Sequence, residues 1–248
     1  MMNTPTDNHS FNNQNNSKSS TSQSIISIAS HNIVAFTDYT KRLQIINESL
    51  YNNIDILGLA ETNITSKQSK HIKKELLPTY NSYFSSSNTK CKGTGVAILL
   101  KPILNAHVIR SKGNNSRYIY VDLAFKKRFT IRLFQIYLHA NPKDINDRVN
   151  IQKEILQEII SAKSLGYEII IMGDLNIDYH ETNRQRANYV SRIEFIRALQ
   201  GFNLIDINAS IKDDRNFNYT WQRNNLTAVL DYIWISHHLL QYFVHKKH

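Results

Sequence analysis

The sequence predicts a mixed α/β sandwich built on central sheets, and three observations carry that expectation. A β-rich run beginning at Ile25 leads through a helical pattern to a second apolar run at Ile54 to Leu59, which makes a strand–helix–strand unit. Short β-like runs then follow one another between Tyr80 and Leu138. A long amphipathic helix next precedes an apolar strand at Glu168 to Met172, so helices and strands alternate in quantity.

Each element has its own signal. Residues Met1 to Ser24 are almost all Asn, Ser, Thr and Gln, too poor in apolar surface to offset chain entropy, and are expected to form a disordered polar leader. The folded domain is expected over residues 25–248. Ile25 to Ala29 reads as a strand ending at His31 and Asn32. Leu43, Ile46 and Leu50, spaced by three and four, predict a helix with those side chains on its buried face. A second helix is predicted over Ser66 to Leu77, with Lys67, Lys70, Lys73 and Lys74 on its wet side and Pro78 closing it. The runs Tyr80 to Ser85, Thr94 to Leu100, Ala106 to Arg110, Tyr118 to Phe125 and Phe129 to Leu138 are strand-like, and such a succession predicts antiparallel neighbours. In the helix Asn146 to Ser164 the apolar stripe is Val149, Ile155, Leu156 and Ile159, with Gly166 as C-terminal cap. Val190 to Leu199 reads as a helix ended by Gly201, and Val229 to Ile235 as a further strand.

Composition narrows the function. The 248 residues carry 30 Lys and Arg against 20 Asp and Glu, a formal charge of +10 that attracts polyanions, with nucleic acid foremost; a merely well-solvated basic surface is the bland alternative. The single cysteine, Cys91, leaves no disulfide partner and no Cys-based zinc site, so a metal would sit on oxygen or imidazole. No apolar stretch approaches the roughly 20 residues of a membrane span, and the first residues lack the pattern of a secretory signal. An intracellular protein is expected, with the nucleus open to it.

Polar residues of chemical interest share one placement, at or just past the ends of apolar strands. They are His31-Asn32, Ala60-Glu61-Thr62 and Gly173-Asp174-Leu175-Asn176; a fourth acid, Asp231, is expected inside an otherwise apolar strand, where a charge is costly unless paired or metal-bound. Asp174 and Asn176 are two apart and would face the same side on extended backbone. Glu61 offers hard oxygen to Mg²⁺, which takes one or two carboxylates plus waters and phosphate oxygens. Singly, these residues have structural readings as well: a cap for Asp174, an Asx turn for Asn176, an edge charge for Glu61, half an ion pair for Asp231. Their joint placement points instead to a site.

The segments Ile28-Ala29-Ser30-His31-Asn32, Leu59-Ala60-Glu61-Thr62, Gly93-Thr94-Gly95-Val96-Ala97, Ile136-Tyr137, Gly173-Asp174-Leu175-Asn176, Thr220-Trp221 and Leu230-Asp231-Tyr232-Ile233, in this order, resemble the endonuclease/exonuclease/phosphatase family. Ala60 before the glutamate is similar to the endonuclease domains of non-LTR retrotransposons, within the apurinic endonuclease-like branch. The resemblance implies a two-sheet α/β sandwich of that family's type and a Mg²⁺-dependent DNA endonuclease, with Mn²⁺ as the alternative ion. It makes Glu61 the metal ligand with Asn32 close to the metal, and Asp174 the group that orients or deprotonates the attacking water. Asn176 would hold a phosphate oxygen, Tyr137 would be the active-site tyrosine, and Asp231 the acid that orients a catalytic histidine. Trp221 would lie near the DNA-binding rim or be a core aromatic.

Departures from the family pattern qualify these implications. Leu138, His139 and Ala140 replace the small residue and proline expected after Tyr137; His31 stands where tryptophan is frequent; and Val34 stands where apurinic endonucleases carry an acid, which argues against abasic-site repair. The family's C-terminal Ser-Asp-His strand is not found, so the last strand is expected to be missing and activity impaired. His237 and His238 read as loop residues, and His245 and His248 as part of a frayed basic tail. Two alternatives stay open: a decayed, non-catalytic fragment acting as a basic nucleic-acid-binding module, and an RNA or lipid phosphodiesterase or phosphatase on the same fold.

Overall fold

A computed structural model describes residues 25–178, 189–210, 220–223 and 226–242. The leader Met1 to Ser24 and the tail residues His245 and His248 lie outside the described residues. In chain order the elements are β1 (Ile28–Asn32), α1 (Tyr39–Tyr51), β2 (Ile56–Ala60), α2 (Ser66–Leu76), β3 (Asn81–Ser85), β4 (Val96–Leu100), α3 (Pro102–Asn105), β5 (Val108–Asn114), β6 (Tyr118–Ala124) and β7 (Thr130–Tyr137). Then come α4 (Ile145–Ser164), β8 (Glu168–Asp174), α5 (Tyr189–Gly201), β9 (Leu204–Asp206), α6 (Ile207–Ser210), β10 (Trp221–Arg223), β11 (Leu226–Ala228) and β12 (Asp231–Ser236).

Two sheets pack face to face, one ordered β1-β2-β4-β3 and the other β5-β6-β7-β8-β12-β9, with a short β10–β11 hairpin beside them. Alternation of side chains along each strand divides the apolar residues among three cores. Ile98, Val121, Leu133, Ile170 and Met172 fill the space between the sheets. Phe134, Ile169 and Ile171 point the other way, onto Ile155 and Ile159 of α4 and Phe195 and Leu199 of α5. Leu57, Leu59, Ala97 and Leu99 cover the far side of the smaller sheet, packing on Ile46 of α1 and Ile72 and Leu76 of α2. Strands buried on both faces give the near-continuous apolar runs Val96 to Leu100 and Ile169 to Met172. The consecutive strands do pair antiparallel, β3 with β4 and β5 with β6 with β7. Among the described residues no helix is long and apolar enough to cross a membrane.

The parallel pairs place the site. β1 runs parallel to β2 with Asn32 opposite Ala60, and β7 runs parallel to β8 with Tyr137 opposite Asp174. Strand ends bearing Asn32, Glu61, Tyr137 and Asp174 therefore open at one end of the sandwich.

Four sequence expectations need correction. In α1 the buried positions are Arg42, Ile46 and Ser49, while Leu43 and Leu50 are 42% and 39% exposed. Arg42 takes the inner position because each of its guanidinium nitrogens is hydrogen-bonded, to both Glu75 carboxylate oxygens (2.9 and 2.8 Å) and to the carbonyls of Phe36 and Thr37. Asp231 is not inside its strand but opens it, half-buried, with its backbone N–H donated to Thr220 Oγ1 (3.0 Å). Asn176 does not continue the β8 backbone: its φ is +50°, and its N–H is capped by Asp174 Oδ1 at 2.9 Å. That Asx-type bond turns the chain, so the two residues meet by a turn and not by strand alternation. Within α4 the stripe centres on Ile151, Ile155, Ile159 and Ala162, with Leu156 partly buried against it.

Candidate active site

Asn32 is the hub. Its Nδ2 donates to Glu61 Oε1 at 2.9 Å and to Asp174 Oδ2 at 3.0 Å, bringing carboxylates from the two sheets onto one amide. Glu61 reaches that position from a left-handed backbone, φ +54°, and Asn63 (φ +53°) follows in the same region. The turn is held by backbone bonds from Thr62 N to Gly95 O (3.0 Å) and Asn63 N to Thr94 O (2.8 Å). Gly95 must be glycine here, since its φ is +87° and a Cβ would lie 2.3 Å from Thr62 Oγ1.

Asp174 is buried, and burial first, then the neighbouring Asp231 and Glu61 charges, push its carboxyl up to about 7; the bonds from Asn176 and Asn32 pull the other way. Asp231 faces it across the β8–β12 register. Burial also raises the Asp231 carboxyl, opposed by its hydrogen bond to Thr220 and the field of His31. Tyr137 closes the site from β7: burial, then its hydrogen bond and proximity to Glu61, raise its phenol and keep it a neutral donor. Asn176 turns its amide to Leu138 O (2.8 Å).

A carboxyl poised near neutrality beside a second carboxylate and an amide can accept a proton from water at physiological pH. The donor set also fits a hard divalent cation, because the repulsion from Asp231 and Glu61 that adds to the effect of burial on Asp174 would be relieved by one. Among the described residues no three His, Cys, Asp or Glu side chains form a protein cage, and Mg²⁺ needs none.

The structure thus gathers Asn32, Glu61, Tyr137, Asp174, Asn176 and Asp231 at one end of the sandwich. Trp221 starts β10 opposite Ala228, and Thr220 just before it holds the Asp231 backbone. His237 and His238 do not belong to the group. His238 Nδ1 lies 3.3 Å from Glu168 Oε1, at the opposite end of the seven-residue β8, about 20 Å from Asp174. Sequence reasoning missed Arg117, whose guanidinium lies over the Tyr137 ring, 5.2 Å from its centroid. Its signal was the dipeptide Asn115-Ser116: both residues have positive φ (+52° and +57°) and Arg117 N bonds Asn114 O (3.1 Å), a type I′ hairpin turn.

Comparison with known proteins agrees with this fold. Residues 29–246 match the Endonuclease/Exonuclease/phosphatase family. Among solved structures the fold is similar to the AP endonuclease LMAP from Leishmania major, at 16% identity and a TM-score of 0.73, over 88% of this chain and 80% of that one. It is also similar to a humanized D. rerio TDP2 carrying 14 mutations (16% identity, TM-score 0.59, 85% and 83% covered). D. rerio TDP2 complexed with single-strand DNA product gives 16% identity, a TM-score of 0.60 and 85% and 83% coverage. No curated protein matches the sequence.

Proposed function

The chain belongs to the Endonuclease/Exonuclease/phosphatase family, and from that premise we propose that it is a divalent-metal-dependent DNA endonuclease of the retrotransposon type, using Mg²⁺ or Mn²⁺. The observation that carries this reading is the Asn32 amide joining Glu61 and Asp174 across the two sheets. Glu61, with Asn32 beside it, would hold the ion, which would supply charge stabilisation to phosphoryl oxygens. Asp174, with its carboxyl near 7, takes the proton of the attacking water as the P–O bond to water forms and the bond to the leaving 3′ oxygen breaks. The leaving 3′ oxygen takes a proton from solvent water and so becomes the 3′ hydroxyl that would prime reverse transcription. Asn176 steadies a phosphate oxygen and Tyr137 donates its neutral hydroxyl at the same cluster, while Trp221 would serve the DNA-binding rim, as the family resemblance implies. The net charge of +10 favours DNA over lipid or small phosphates, and the DNA-related neighbours point the same way.

A second reading, a basic binding module with little or no catalysis, is favoured by one observation. Among the described residues the Asp231 carboxyl has Thr220 as hydrogen-bond partner and no imidazole, with His31 acting on it only through its field. Plasmid nicking decides between the two. Endonuclease activity predicts Mg²⁺-dependent conversion of supercoiled to open circles, lost in Glu61→Gln and Asp174→Asn. Salt-sensitive DNA binding without nicking would leave the binding module; neither binding nor nicking would end both readings.

A further inference from the structure

Gln135 is wholly buried between the two sheets, where the filling around it is apolar: Ile98, Val121, Leu133 and Met172. It crosses from β7 to the smaller sheet and stops against Gly58 of β2, so close that a Cβ on that glycine would stand 1.9 Å from its Oε1. Gly58 has no positive φ, so glycine serves there only the close approach. The same Oε1 accepts the Ser30 hydroxyl of β1 (3.3 Å). On the amide's other side, Nε2 lies 3.0 Å from the place where a Cβ of Gly173, in β8, would stand. One side chain of β7 therefore meets β1, β2 and β8 together.

These contacts fall just beneath the candidate site on every strand. Ser30 is two residues before Asn32, Gly58 three before Glu61, Gln135 two before Tyr137, and Gly173 directly before Asp174. Stability alone does not account for the arrangement. Among the described residues the Nε2 donors have no acceptor, and an unpaired buried amide disfavours the fold where an apolar side chain would not. The flat amide does what an aliphatic chain cannot: its oxygen is narrow enough to enter the slot left by Gly58, and the bond from Ser30 fixes its direction.

We propose that Gln135 is a positioning residue: by spanning the two sheets beneath the site, it fixes the spacing at which Asn32 bridges Glu61 to Asp174 and Tyr137 reaches the same group. Asn32 Nδ2 holds its two carboxylates at 2.9 and 3.0 Å, bonds that a small change in sheet spacing would break. A shift of about 1 Å among reacting groups costs roughly a hundredfold in rate. The catalytic consequence rests on the nuclease reading above; the effect on the Asn32 amide does not.

The test compares the full wild-type chain with Gln135→Leu, which ends short of Gly58, and Ser30→Ala, which removes only the hydroxyl. All are assayed well below their melting temperatures, so that a purely structural role leaves kcat alone. In plasmid nicking with Mg²⁺, kcat should fall about tenfold or more in Gln135→Leu and by less in Ser30→Ala, with KM within about twofold of the wild type. A second measurement needs no catalysis. In EDTA the Asn32 side-chain amide, identified in NMR spectra by its loss in Asn32→Ala, should exchange its protons with water faster in both variants. Either quantity unchanged in Gln135→Leu overturns the proposal, as does a kcat that falls only in step with the folded fraction. If the wild type nicks no plasmid, the nuclease reading fails and the amide alone decides: faster exchange in Gln135→Leu upholds the positioning role and unchanged exchange ends it. Should Gln135→Leu fail to fold, the same two measurements on Ser30→Ala decide, and wild-type values there overturn the proposal.

Discussion

Replacing Asp174 by asparagine should make the protein more stable while removing its activity. The Asp174 carboxyl sits at about 7 in the fold against 3.8 for the free group, so folding disfavours its charged form. The sign follows directly. Between about pH 4 and 7 the folded state holds a proton that the unfolded state has released, so stability falls as pH rises through that window and the full cost is present above it. About three pH units at ~1.4 kcal/mol each amount to ~4 kcal/mol. An amide keeps one acceptor oxygen where the carboxylate uses two, for Asn32 Nδ2 (3.0 Å) and Asn176 N (2.9 Å). Losing one of those bonds costs ~1–2 kcal/mol. The net gain for Asp174→Asn at pH 8 in EDTA is then about 2–3 kcal/mol, or roughly 5–10 °C in melting temperature for a domain of this size. At pH 4 the wild-type carboxyl is protonated and the variant should melt no higher, or slightly lower. Thermal melts followed by circular dichroism at the two pH values measure this. A variant that melts at or below the wild type at pH 8 would refute the raised carboxyl and, with it, the assignment of Asp174 as the base.

Other perturbations follow from the same structure. Val34 is β-branched yet has φ +59° and is 64% exposed, so Val34→Gly should stabilise by about 1 kcal/mol, read as a higher denaturation midpoint. Asp122→Ala strips the bidentate partner from the sealed Arg132 guanidinium (2.7 and 2.8 Å) and should cost ~3–5 kcal/mol, lowering the urea midpoint by roughly 1–2 M. Gly95→Ala forces a methyl onto Thr62 Oγ1, 2.3 Å away, in a left-handed backbone; it should destabilise by ~1–3 kcal/mol and, by shifting the Glu61 turn, cut nicking more than stability alone explains.

Much of the fold was legible because its strands are long apolar runs and its helices are marked by caps. Gly166, at φ +74°, ends the α4 region as expected, and Thr65 caps α2 with a complete capping box. What failed was rotation and turn chemistry. The Leu43–Ile46–Leu50 stripe looked like the inner face of α1, but a buried arginine with every guanidinium nitrogen hydrogen-bonded outcompeted two leucines, a tertiary choice that periodicity cannot see. The strands β9, β10 and β11 have three residues each, too few to show alternation. At the site, each acid was visible at a strand end, yet the joining of Glu61 to Asp174 through one amide depends on the register of two separate sheets. Arg117 escaped because its position is set by the two-residue turn Asn115-Ser116, whose left-handed backbone shows in the dipeptide and not in any periodicity.

Four of the ten non-glycine residues with positive φ lie together, and that has a physical consequence. Val34, Glu61, Asn63 and Asn176 all sit at φ between +50° and +59°, clustered around Asn32, while the one carboxyl lifted to about 7 is bonded to the same amide. Non-glycine residues in that region cost on the order of 1 kcal/mol each and persist only where the surroundings over-determine them. Here the surroundings are two sheets whose parallel pairs fix Asn32 against Ala60 and Tyr137 against Asp174, with Gly173 at φ +133° letting β8 close to within reach of Ile136. The strain is therefore carried where two hydrogen-bonded sheets meet. A buried carboxyl held so firmly beside its acidic neighbours can move neither out to water nor away from them, and that is the condition under which a raised carboxyl remains a base poised near neutrality instead of a defect that the fold repairs.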